Sequence, residues 1–384
     1  MICNFALGRR TLGRPRSPES LCWVQMASVV EMIQKLSLTE KCAVSVKAVE
    51  SDYILDITAH RCREAKGNNL LAATSSNFSI QLMSRSNLAS VGTLTGHTDV
   101  ITGVCWARTE PHLLFSSSSD KTIRCWDCRT KPSKEVQQFT GSDETNNLFT
   151  CLDVNVTDQV LCAGLERDTD ENAFILFWDR RNKELMGAYS ESHQDDITQV
   201  RFHGTQNDKL VSGSTDGLVC LFDLTADCED DALLYTFNTC STVCRIGWTG
   251  PGQDHVYATT HLDGLYVWDS EMGDPVLQWA DLKAQLKGTP SIDYIVDCFT
   301  TSNDQMFAVA GTHSGDMHVF QLPGGSSEPN LQCSLSGGHS TTVRCIHWDD
   351  QTSTLVTGGE DSMLCLWSAS GQMVTKATSM QASH

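Results

Sequence analysis

Three histidine–aspartate pairs are the side chains best suited to proton-transfer chemistry: His97 with Asp120, His193 with Asp216, and His339 with Asp361. An imidazole that titrates near neutral pH beside an orienting carboxylate is a common arrangement in general acid–base catalysis. An enzyme needs one such site, whereas this chain places the same pair in three similar segments. We therefore predict that the pairs stabilise the fold and that the protein is not an enzyme.

The thiols offer a second possible chemistry. Cys125 and Cys128 form a CxxC sequence, but no second pair follows at zinc-finger spacing, and a structural zinc site needs four ligands. The 17 cysteines are an odd number and are scattered singly. This usage is typical of small buried side chains in a reducing compartment. The sequence therefore predicts no metal site, and no motif implies a cofactor.

The elements that must position these side chains are clearest in residues 192–223. Ile197 to Phe202 alternates apolar and polar residues, Lys209 to Ser212 is a short second run, and Leu218 to Phe222 follows the turn residues Asp216-Gly217. Short runs bounded by glycine and aspartate predict antiparallel strands. One such unit cannot bury both of its faces, so it needs copies of itself beside it.

Copies of the third run recur along the chain at intervals of 43 to 52 residues. Aligned on one mostly aromatic position, they contain Met83, Trp126, Trp178, Phe222, Trp268, Phe320 and Trp367. Seven units of this length predict an all-β fold, a seven-bladed propeller of four-stranded sheets.

The second and seventh units carry a recognisable pair of end signatures. Gly96-His97 and Trp126-Asp127 bracket the second unit, and Gly338-His339 and Trp367 bracket the seventh. The chain thus resembles the WD-repeat family over about residues 40–370. The resemblance implies a buried network that joins the histidine, the turn aspartate, a serine or threonine and the tryptophan. In the fourth blade Phe222 replaces the tryptophan, so we expect the indole hydrogen bond to be missing there.

Further stretches resemble the group of WD repeat-containing protein 89 within that family: residues 187–193, 200–203, 211–214 with 216–219, and 337–339 with 357–361. They include Gly213-Ser214, Asp216-Gly217 and Gly358-Gly359. This resemblance implies the propeller fold and says little about molecular mechanism.

The two ends of the chain differ from the repeats. We expect residues 1–39 to be a disordered or weakly helical extension and residues 371–384 to be a disordered tail. The Arg-rich start, with Arg9, Arg10, Arg14 and Arg16, is also compatible with a transit peptide, although Pro15 and Pro18 interrupt a helix. To close the ring, we expect a strand at Lys41–Lys47 to become the outer strand of the last blade; Met373–Lys376 is the alternative.

The chain is acidic, with a formal net charge of −19. In a propeller, the loops between blades and the turns between second and third strands lie on one face. We expect that face to carry these acidic side chains: Glu144, Asp168, Asp170, Glu171, Asp195 and Asp196. They predict attraction of a basic protein segment and repulsion of nucleic acid; the alternative is that they only keep the protein soluble.

Two repeats end in Trp-Asp-x-Arg, at Trp126–Arg129 and Trp178–Arg181. This pattern resembles the motif of substrate receptors of cullin-RING ubiquitin ligases. In that family the arginine, here Arg129 or Arg181, contacts the ligase adaptor from the opposite face of the propeller.

Together these observations predict a cytoplasmic or nuclear interaction scaffold that binds a protein partner of unknown identity. No apolar run is long enough to cross a membrane, so we expect no membrane partner. We also expect no nucleic-acid partner and a monomeric protein. The alternative hypothesis is a ligase substrate receptor.

Overall fold

Seven four-stranded antiparallel sheets make up the computed structural model. It describes residues 28–43, 52–60, 69–129, 134–142, 145–286, 291–323 and 328–369. Each sheet is one blade, and the predicted seven-bladed propeller is confirmed. In blades 1 to 6 the four strands follow one another from the channel outwards, so consecutive strands pair as neighbours.

The first four blades follow one another in chain order. The chain starts with helix α1 (Val29–Gln34) and strand β1 (Leu36–Ala43). Blade 1 contains β2 (Ile54–Ala59), β3 (Leu70–Ser75), β4 (Ser79–Ser84) and β5 (Ser90–Thr95). Blade 2 contains β6 (Ile101–Trp106), β7 (Leu113–Ser118), β8 (Ile123–Asp127) and β9 (Lys134–Phe139). Blade 3 contains β10 (Phe149–Val154), β11 (Val160–Leu165), β12 (Ile175–Asp179) and β13 (Glu184–Tyr189). Blade 4 contains β14 (Ile197–Phe202), β15 (Lys209–Ser214), β16 (Leu218–Asp223), helix α2 (Glu229–Ala232) and β17 (Leu233–Asn238).

The remaining three blades follow the same plan. Blade 5 contains β18 (Val243–Thr249), a 3₁₀ turn (Pro251–Gln253), β19 (His255–Thr260), β20 (Leu265–Asp269) and β21 (Pro275–Trp279), followed by helix α3 (Leu282–Gln285). Blade 6 contains β22 (Tyr294–Thr300), β23 (Met306–Gly311), β24 (Met317–Gln321) and β25 (Asn330–Leu335). Blade 7 contains β26 (Val343–Asp349), β27 (Thr354–Gly359), β28 (Met363–Ala369) and, from the other end of the chain, β1.

Burial differs between the middle and the outer strand of a blade. Every residue of Leu113–Ser118 (β7) is buried, because neighbouring blades cover both faces of the sheet. In Lys134–Phe139 (β9), on the rim, only Phe139 is fully buried. The hydrophobic core therefore lies between blades. One such cluster joins Ile80 and Leu82 of blade 1 to Trp106 and Trp126 of blade 2. Burial of each large apolar side chain stabilises the fold by about 1.5–3 kcal/mol.

The ring closes through an N-terminal strand in the last blade, as predicted, but the predicted position of that strand was wrong. β1 spans Leu36–Ala43 and pairs with β28 from Leu36 opposite Ala369 to Ala43 opposite Met363. The expected strand, Lys41–Lys47, overlaps it at three residues, and residues 44–47 lie outside the described part of the chain.

Tertiary packing explains the earlier start of the closing strand. Ile33 of α1 and Leu36 of β1 are buried in one cluster with Val296 of blade 6 and Trp367 of blade 7. Residues 42–46 have the better local strand pattern, but Ile33 and Leu36 are the side chains buried against blades 6 and 7. Helix α1 lies before residue 40, the boundary that the sequence suggested, and strand β1 begins before it.

Candidate functional site

The histidine–aspartate pair of blade 2 is part of a buried hydrogen-bond network. His97 lies in the loop after β5, Asp120 in the turn before β8, and Ser116 on β7. His97 Nδ1 is 2.8 Å from Asp120 Oδ2, and His97 Nε2 is 2.7 Å from Ser116 Oγ. Trp126 of β8 donates its indole N–H to the same Ser116 oxygen at 2.9 Å. Both imidazole nitrogens of His97 therefore have partners inside the protein.

The same network recurs in blade 7 with a threonine in place of the serine. His339 Nδ1 is 3.0 Å from Asp361 Oδ1, and His339 Nε2 is 2.8 Å from Thr357 Oγ1. Trp367 donates its indole N–H to Thr357 Oγ1 at 3.0 Å. Sequence reasoning found His339, Asp361 and Trp367 but did not identify the hydroxyl that joins them.

Blade 4 retains the histidine contacts without an indole donor. His193 Nδ1 is 3.1 Å from Asp216 Oδ2, and His193 Nε2 is 2.7 Å from Ser212 Oγ. Phe222 occupies the tryptophan position and has no N–H, as expected. Tyr189 packs against it, with ring centroids 5.2 Å apart. The Ser212 oxygen receives no indole proton, so it can accept one from His193.

The imidazole pKa values move in opposite directions in blades 2 and 4. Burial lowers the pKa of His97, and this effect exceeds the opposing contribution of Asp120. Burial also acts to lower the pKa of His193, but hydrogen bonds with Asp216 and Cys220 outweigh it and raise the pKa to about 9. The position that Cys220 occupies on β16 is taken by Arg124 on β8, and the guanidinium of Arg124 further disfavours a charged His97.

The turn aspartates remain charged despite partial burial. Burial acts to raise the pKa of Asp120, Asp216 and Asp361. Hydrogen bonds outweigh burial and lower all three pKa values: those from Thr122 and then His97 act on Asp120, and those from the neighbouring histidine and backbone N–H groups act on Asp216 and Asp361. Each carboxylate also accepts the N–H of the residue after its histidine, which fixes the entry of the chain into the blade.

The second group of candidate residues lies at the edge between blades 3 and 4. Residues 166–174 join β11 to β12, and residues 190–196 join β13 to β14. Ile175 pairs with both Gly164 and Tyr189, so the two loops leave the same end of the sheet. Arg167 connects them: its backbone N–H donates to Asp196 Oδ1 at 2.8 Å, and its Nε is 3.7 Å from Asp195 Oδ1. Glu144, the sixth predicted residue, lies outside the described residues.

The acidic side chains at this edge have different roles. Asp168 Oδ1 accepts the N–H groups of Asp170 and Asn172 at 2.9 and 2.8 Å and so shapes its own loop. The hydrogen bond from the Asn172 N–H, above all, lowers the pKa of Asp168. Asp170 and Glu171 are exposed, and neither forms an ion pair with a described residue. We call Asp168, Asp170, Glu171, Asp195 and Asp196 the acidic surface.

Arg129 and Arg181 occupy equivalent positions in blades 2 and 3. Arg129 Nε is 3.0 Å from Asp127 Oδ1, and Arg181 Nε is 2.9 Å from Asp179 Oδ1. In each pair Nη2 also donates to the second carboxylate oxygen. The arginine side chains are 64% and 66% exposed. These hydrogen bonds lower the pKa of both aspartates to about 2. Asp179 pairs with Glu184 at the end of the sheet opposite the acidic surface.

The CxxC cysteines are protonated thiols in separate environments. Cys125 is buried on β8, and Cys128 follows the strand. Burial raises the pKa of each thiol to about 12. Zinc binds thiolates, so this environment disfavours a metal ligand at either position.

Two features of the structure were missed from the sequence. Glu229 of α2 accepts three backbone N–H groups, from Ser190, Glu191 and Ser192, at 2.7–3.0 Å, and so holds the loop before His193. Arg201 and Arg245 lie on inner strands and line the central channel. The sequence does contain a sign of them, because each is a charged residue within a strand whose other residues carry no charge.

None of the helices in the described part of the chain is long and apolar enough to span a lipid bilayer.

Comparison with known proteins gives a consistent result. A family model described as WD domain, G-beta repeat matches residues 88–127, 186–223 and 330–368, which correspond to blades 2, 4 and 7. These are the blades that contain the histidine networks.

Three relatives illustrate the similarity of the whole chain. A protein named WD repeat-containing protein GTS1 from Arabidopsis thaliana is 31% identical over 315 residues, which is 77% of each chain. A WD repeat-containing protein 89 homolog from Dictyostelium discoideum is 29% identical over 330 residues, 84% of this chain and 85% of that protein. Human GATOR2 complex protein WDR24 is 25% identical over 177 residues, 46% of this chain and 21% of that protein.

Proposed function

Because the chain belongs to the WD-repeat family, we propose that it is a non-enzymatic scaffold that binds a basic segment of a protein partner on the acidic surface. The observation that carries the proposal is the meeting of the 166–174 and 190–196 loops across Arg167. The two loops come from consecutive parts of the ring, so their carboxylates act together as one field.

The charges at this surface are only partly compensated. The guanidinium of Arg167 contacts Asp195, and its backbone N–H binds Asp196, whereas Asp170 and Glu171 have no ion pair within the described ranges. Uncompensated carboxylates on a chain of net charge −19 attract lysine and arginine side chains and repel phosphodiester backbones. The partner we propose is therefore a basic protein segment and not a nucleic acid.

The proposal assigns the histidines to architecture. In all three networks both imidazole nitrogens are engaged with buried partners, which leaves neither nitrogen for a substrate. The network residues are His97, Asp120, Trp126, His193, Asp216, His339, Asp361 and Trp367. Partly satisfied buried networks are costly, so a complete network suits a structural role.

Membership of a larger assembly fits the same proposal. Human GATOR2 complex protein WDR24 is by name a member of a complex, although the match covers 21% of it. We propose that this protein likewise acts in a complex, as a single copy of the chain, in the cytoplasm or nucleus and away from membranes.

Proximity labelling in cells tests the acidic surface. The test variant is Asp170→Asn, Glu171→Gln and Asp195→Asn, which removes three charges with little change in shape. The control is Glu184→Gln, Asp208→Asn and Glu271→Gln, which removes three exposed charges at the other end of the sheets. We expect a set of labelled neighbours to be lost only in the test variant. Identical neighbours in the wild type and the test variant would contradict the proposal.

One observation favours a second function, that of a cullin-RING substrate receptor. Arg129 and Arg181 have the same two-point contact with their aspartates in adjacent blades, and both side chains project into solvent. A link between the blades supports their proximity: Gln137 of β9 donates its side-chain N–H to the Arg180 carbonyl at 3.0 Å. An adaptor could therefore contact both arginines at once.

Affinity capture of the ligase adaptor separates this function from the first. We expect Arg129→Ala with Arg181→Ala to abolish capture if the receptor function holds, while the acidic-surface variant leaves it unchanged. Adaptor capture that survives the double substitution rules the receptor function out.

A further inference from the structure

The central channel contains two adjoining cavities of about 250 and 240 Å³. Leu55, Cys244 and Arg245 line both cavities. The 240 Å³ cavity reaches the inner strands of blades 1 to 5. The 250 Å³ cavity reaches the inner strands of blades 5, 6, 7 and 1. Arg201 of β14 also lines the 240 Å³ cavity, so two guanidinium groups border the same space.

These two arginines differ from the other arginines that the structure describes. Eight of the ten lie within 4 Å of a carboxylate: Arg85, Arg108, Arg124, Arg129, Arg167, Arg180, Arg181 and Arg344. Arg201 and Arg245 have no such partner among the described residues. In an acidic protein, the two described arginines without an ion pair line the same cavity.

The contacts of the channel arginines leave most of their N–H groups available. Arg201 Nη1 donates to the Val200 carbonyl at 3.1 Å, and Arg245 Nη2 donates to the Arg344 carbonyl at 3.2 Å. A guanidinium has five N–H donors, so four on each side chain remain for another acceptor. Removing a cation from water without a counter-ion is unfavourable, which makes an anion in the cavity stabilising.

Two channel carboxylates, Asp297 and Asp56, lie near Arg245; burial acts to lower the pKa of Arg245, but attraction by these charges outweighs it and raises that pKa. Asp56 Oδ1 accepts the Ile57 N–H at 2.9 Å. Asp297 Oδ1 accepts the Cys298 N–H at 2.7 Å and the Tyr257 hydroxyl proton at 3.3 Å. Burial raises the pKa of Asp297, against the opposing effect of Arg245, and so weakens it as a counter-ion. Neither carboxylate forms a direct ion pair with the two arginines.

The wall between the arginines is polar and can orient a ligand. Thr102 and Thr198 donate their hydroxyl protons to the Phe149 and Gly213 carbonyls at 2.7 and 3.0 Å, so the donors left for a ligand in this wall belong to the two arginines and Gln199. Gln199 Oε1 accepts the Ile246 N–H at 3.2 Å, and this fixes the side chain with its NH₂ group as a further donor.

We propose that the channel cavity binds a single oxyanion group, a phosphate or a carboxylate, between Arg201 and Arg245. The planar donor fork of arginine matches the paired oxygens of these anions, and the cavity has room for one such group with water. The site is independent of the acidic surface and carries the opposite charge preference.

Calorimetric titration of the full chain tests this site with two probes at constant ionic strength. Inorganic phosphate represents a free or ester phosphate, and N-acetylglycine represents the carboxylate end of a peptide. The variants are Arg201→Gln and Arg245→Gln, with Arg201→Lys and Arg245→Lys as charge-conserving versions. Lys134→Gln, an exposed cation on β9, is the matched control.

We expect saturable binding of at least one probe, weakened about tenfold or more by each glutamine variant and unaffected by Lys134→Gln. Binding of phosphate alone or of N-acetylglycine alone identifies the source of the oxyanion. If a glutamine variant does not fold, the lysine variant at the same position is the test. We expect it to bind the probe more weakly than wild type but measurably, because lysine keeps the positive charge and lacks the paired N–H donors of arginine. Absence of saturable binding of both probes, or equal binding by wild type and channel variants, overturns the proposal.

Discussion

His193 Nδ1 and Asp216 Oδ2 lie 3.1 Å apart in blade 4. This contact helps to raise the pKa of His193 to about 9 against the effect of burial. In blade 2, by contrast, burial lowers the pKa of the equivalent His97. The two histidines have the same partners through both ring nitrogens. Their difference comes from the neighbours, Cys220 in one blade and Arg124 in the other. Repeated sequence motifs thus specify the same geometry without specifying the same charge.

The pH dependence of stability should reveal the charge on His193. The pKa of His193 in the folded protein is about 9, above the ordinary value of 6.5. The charged His193 therefore stabilises the folded protein fully below pH 6.5, and this contribution is lost as pH rises towards 9. Asn in place of Asp216 cannot stabilise the imidazolium as well. We expect the difference in unfolding free energy between wild type and Asp216→Asn, from urea titrations, to decrease over this interval.

Asp120→Asn is the control for that measurement. The pKa of His97 lies below 6.5, so His97 is neutral throughout the interval from pH 6.5 to 9. The difference in unfolding free energy between wild type and Asp120→Asn should therefore stay constant over that interval. A flat curve for Asp216→Asn as well would show that His193 is neutral in the folded protein.

The indole hydrogen bond of blade 7 should be measurable by a double-mutant cycle. Trp367→Phe removes the donor and Thr357→Val removes the shared acceptor. We expect each single substitution to destabilise the protein by about 1–3 kcal/mol, with a coupling energy of about 0.5–1.5 kcal/mol. Trp367→Phe combined with Ser116→Ala, in a distant network, should be additive. Additivity of the first pair would exclude the hydrogen bond as a stabilising contact.

Close packing against the same tryptophan predicts the effect of a glycine substitution. A Cβ atom at Gly338 would lie 2.7 Å from Trp367 Cη2, whereas one at Gly187, on the exposed strand β13, would meet no atom within 4 Å. We expect Gly338→Ala to lower the unfolding free energy by about 1–3 kcal/mol. Gly187→Ala should leave it unchanged or raise it by up to about 1 kcal/mol. Equal effects in thermal or chemical unfolding would contradict this account of the Gly-His signature.

The contact between Arg181 and Asp179 should be visible in a carboxylate titration. Hydrogen bonds from Arg181 lower the pKa of Asp179 to about 2, so the contact stabilises the protein above pH 3.8 and weakens as pH falls towards 2. We expect Arg181→Ala to raise the pKa of Asp179 towards 3.8, measured by NMR on the carboxyl carbon. Lys183→Ala, two residues away, should leave it unchanged. An Asp179 pKa near 3.8 in the wild type would mean that the pair is open in solution.

The sequence predicted those parts of the fold that local pattern determines. The strand Ile197–Phe202 appears with the predicted bounds, because its alternation and its turns agree with its burial on both sides. The closing strand was placed too late in the chain, because its position depends on Ile33 and Leu36 reaching blades 6 and 7. Local pattern carries no information about that distant contact.

The candidate sites divide in the same way. Arg129 and Arg181 could be named from the sequence because a short motif contains both the arginine and its aspartate partner, and their contact with an adaptor stays a prediction. Arg201 and Arg245 could not be named in this way, because their shared cavity exists only after strands from five blades have closed into a ring. Glu229 was missed for a related reason: its backbone partners, residues 190–192, belong to the preceding inter-blade loop.

Carbodiimide cross-linking followed by mass spectrometry tests the proposed function most directly, because it joins a carboxylate to a lysine in direct contact. Applied to the full chain in cell extract, it should link partner lysines to Asp170, Glu171 or Asp195, and added salt should reduce these links because charge attraction is screened. Partner lysines attached instead to Glu184, Asp208 or Glu271, at the other end of the sheets, would show that the acidic surface is not where the protein binds.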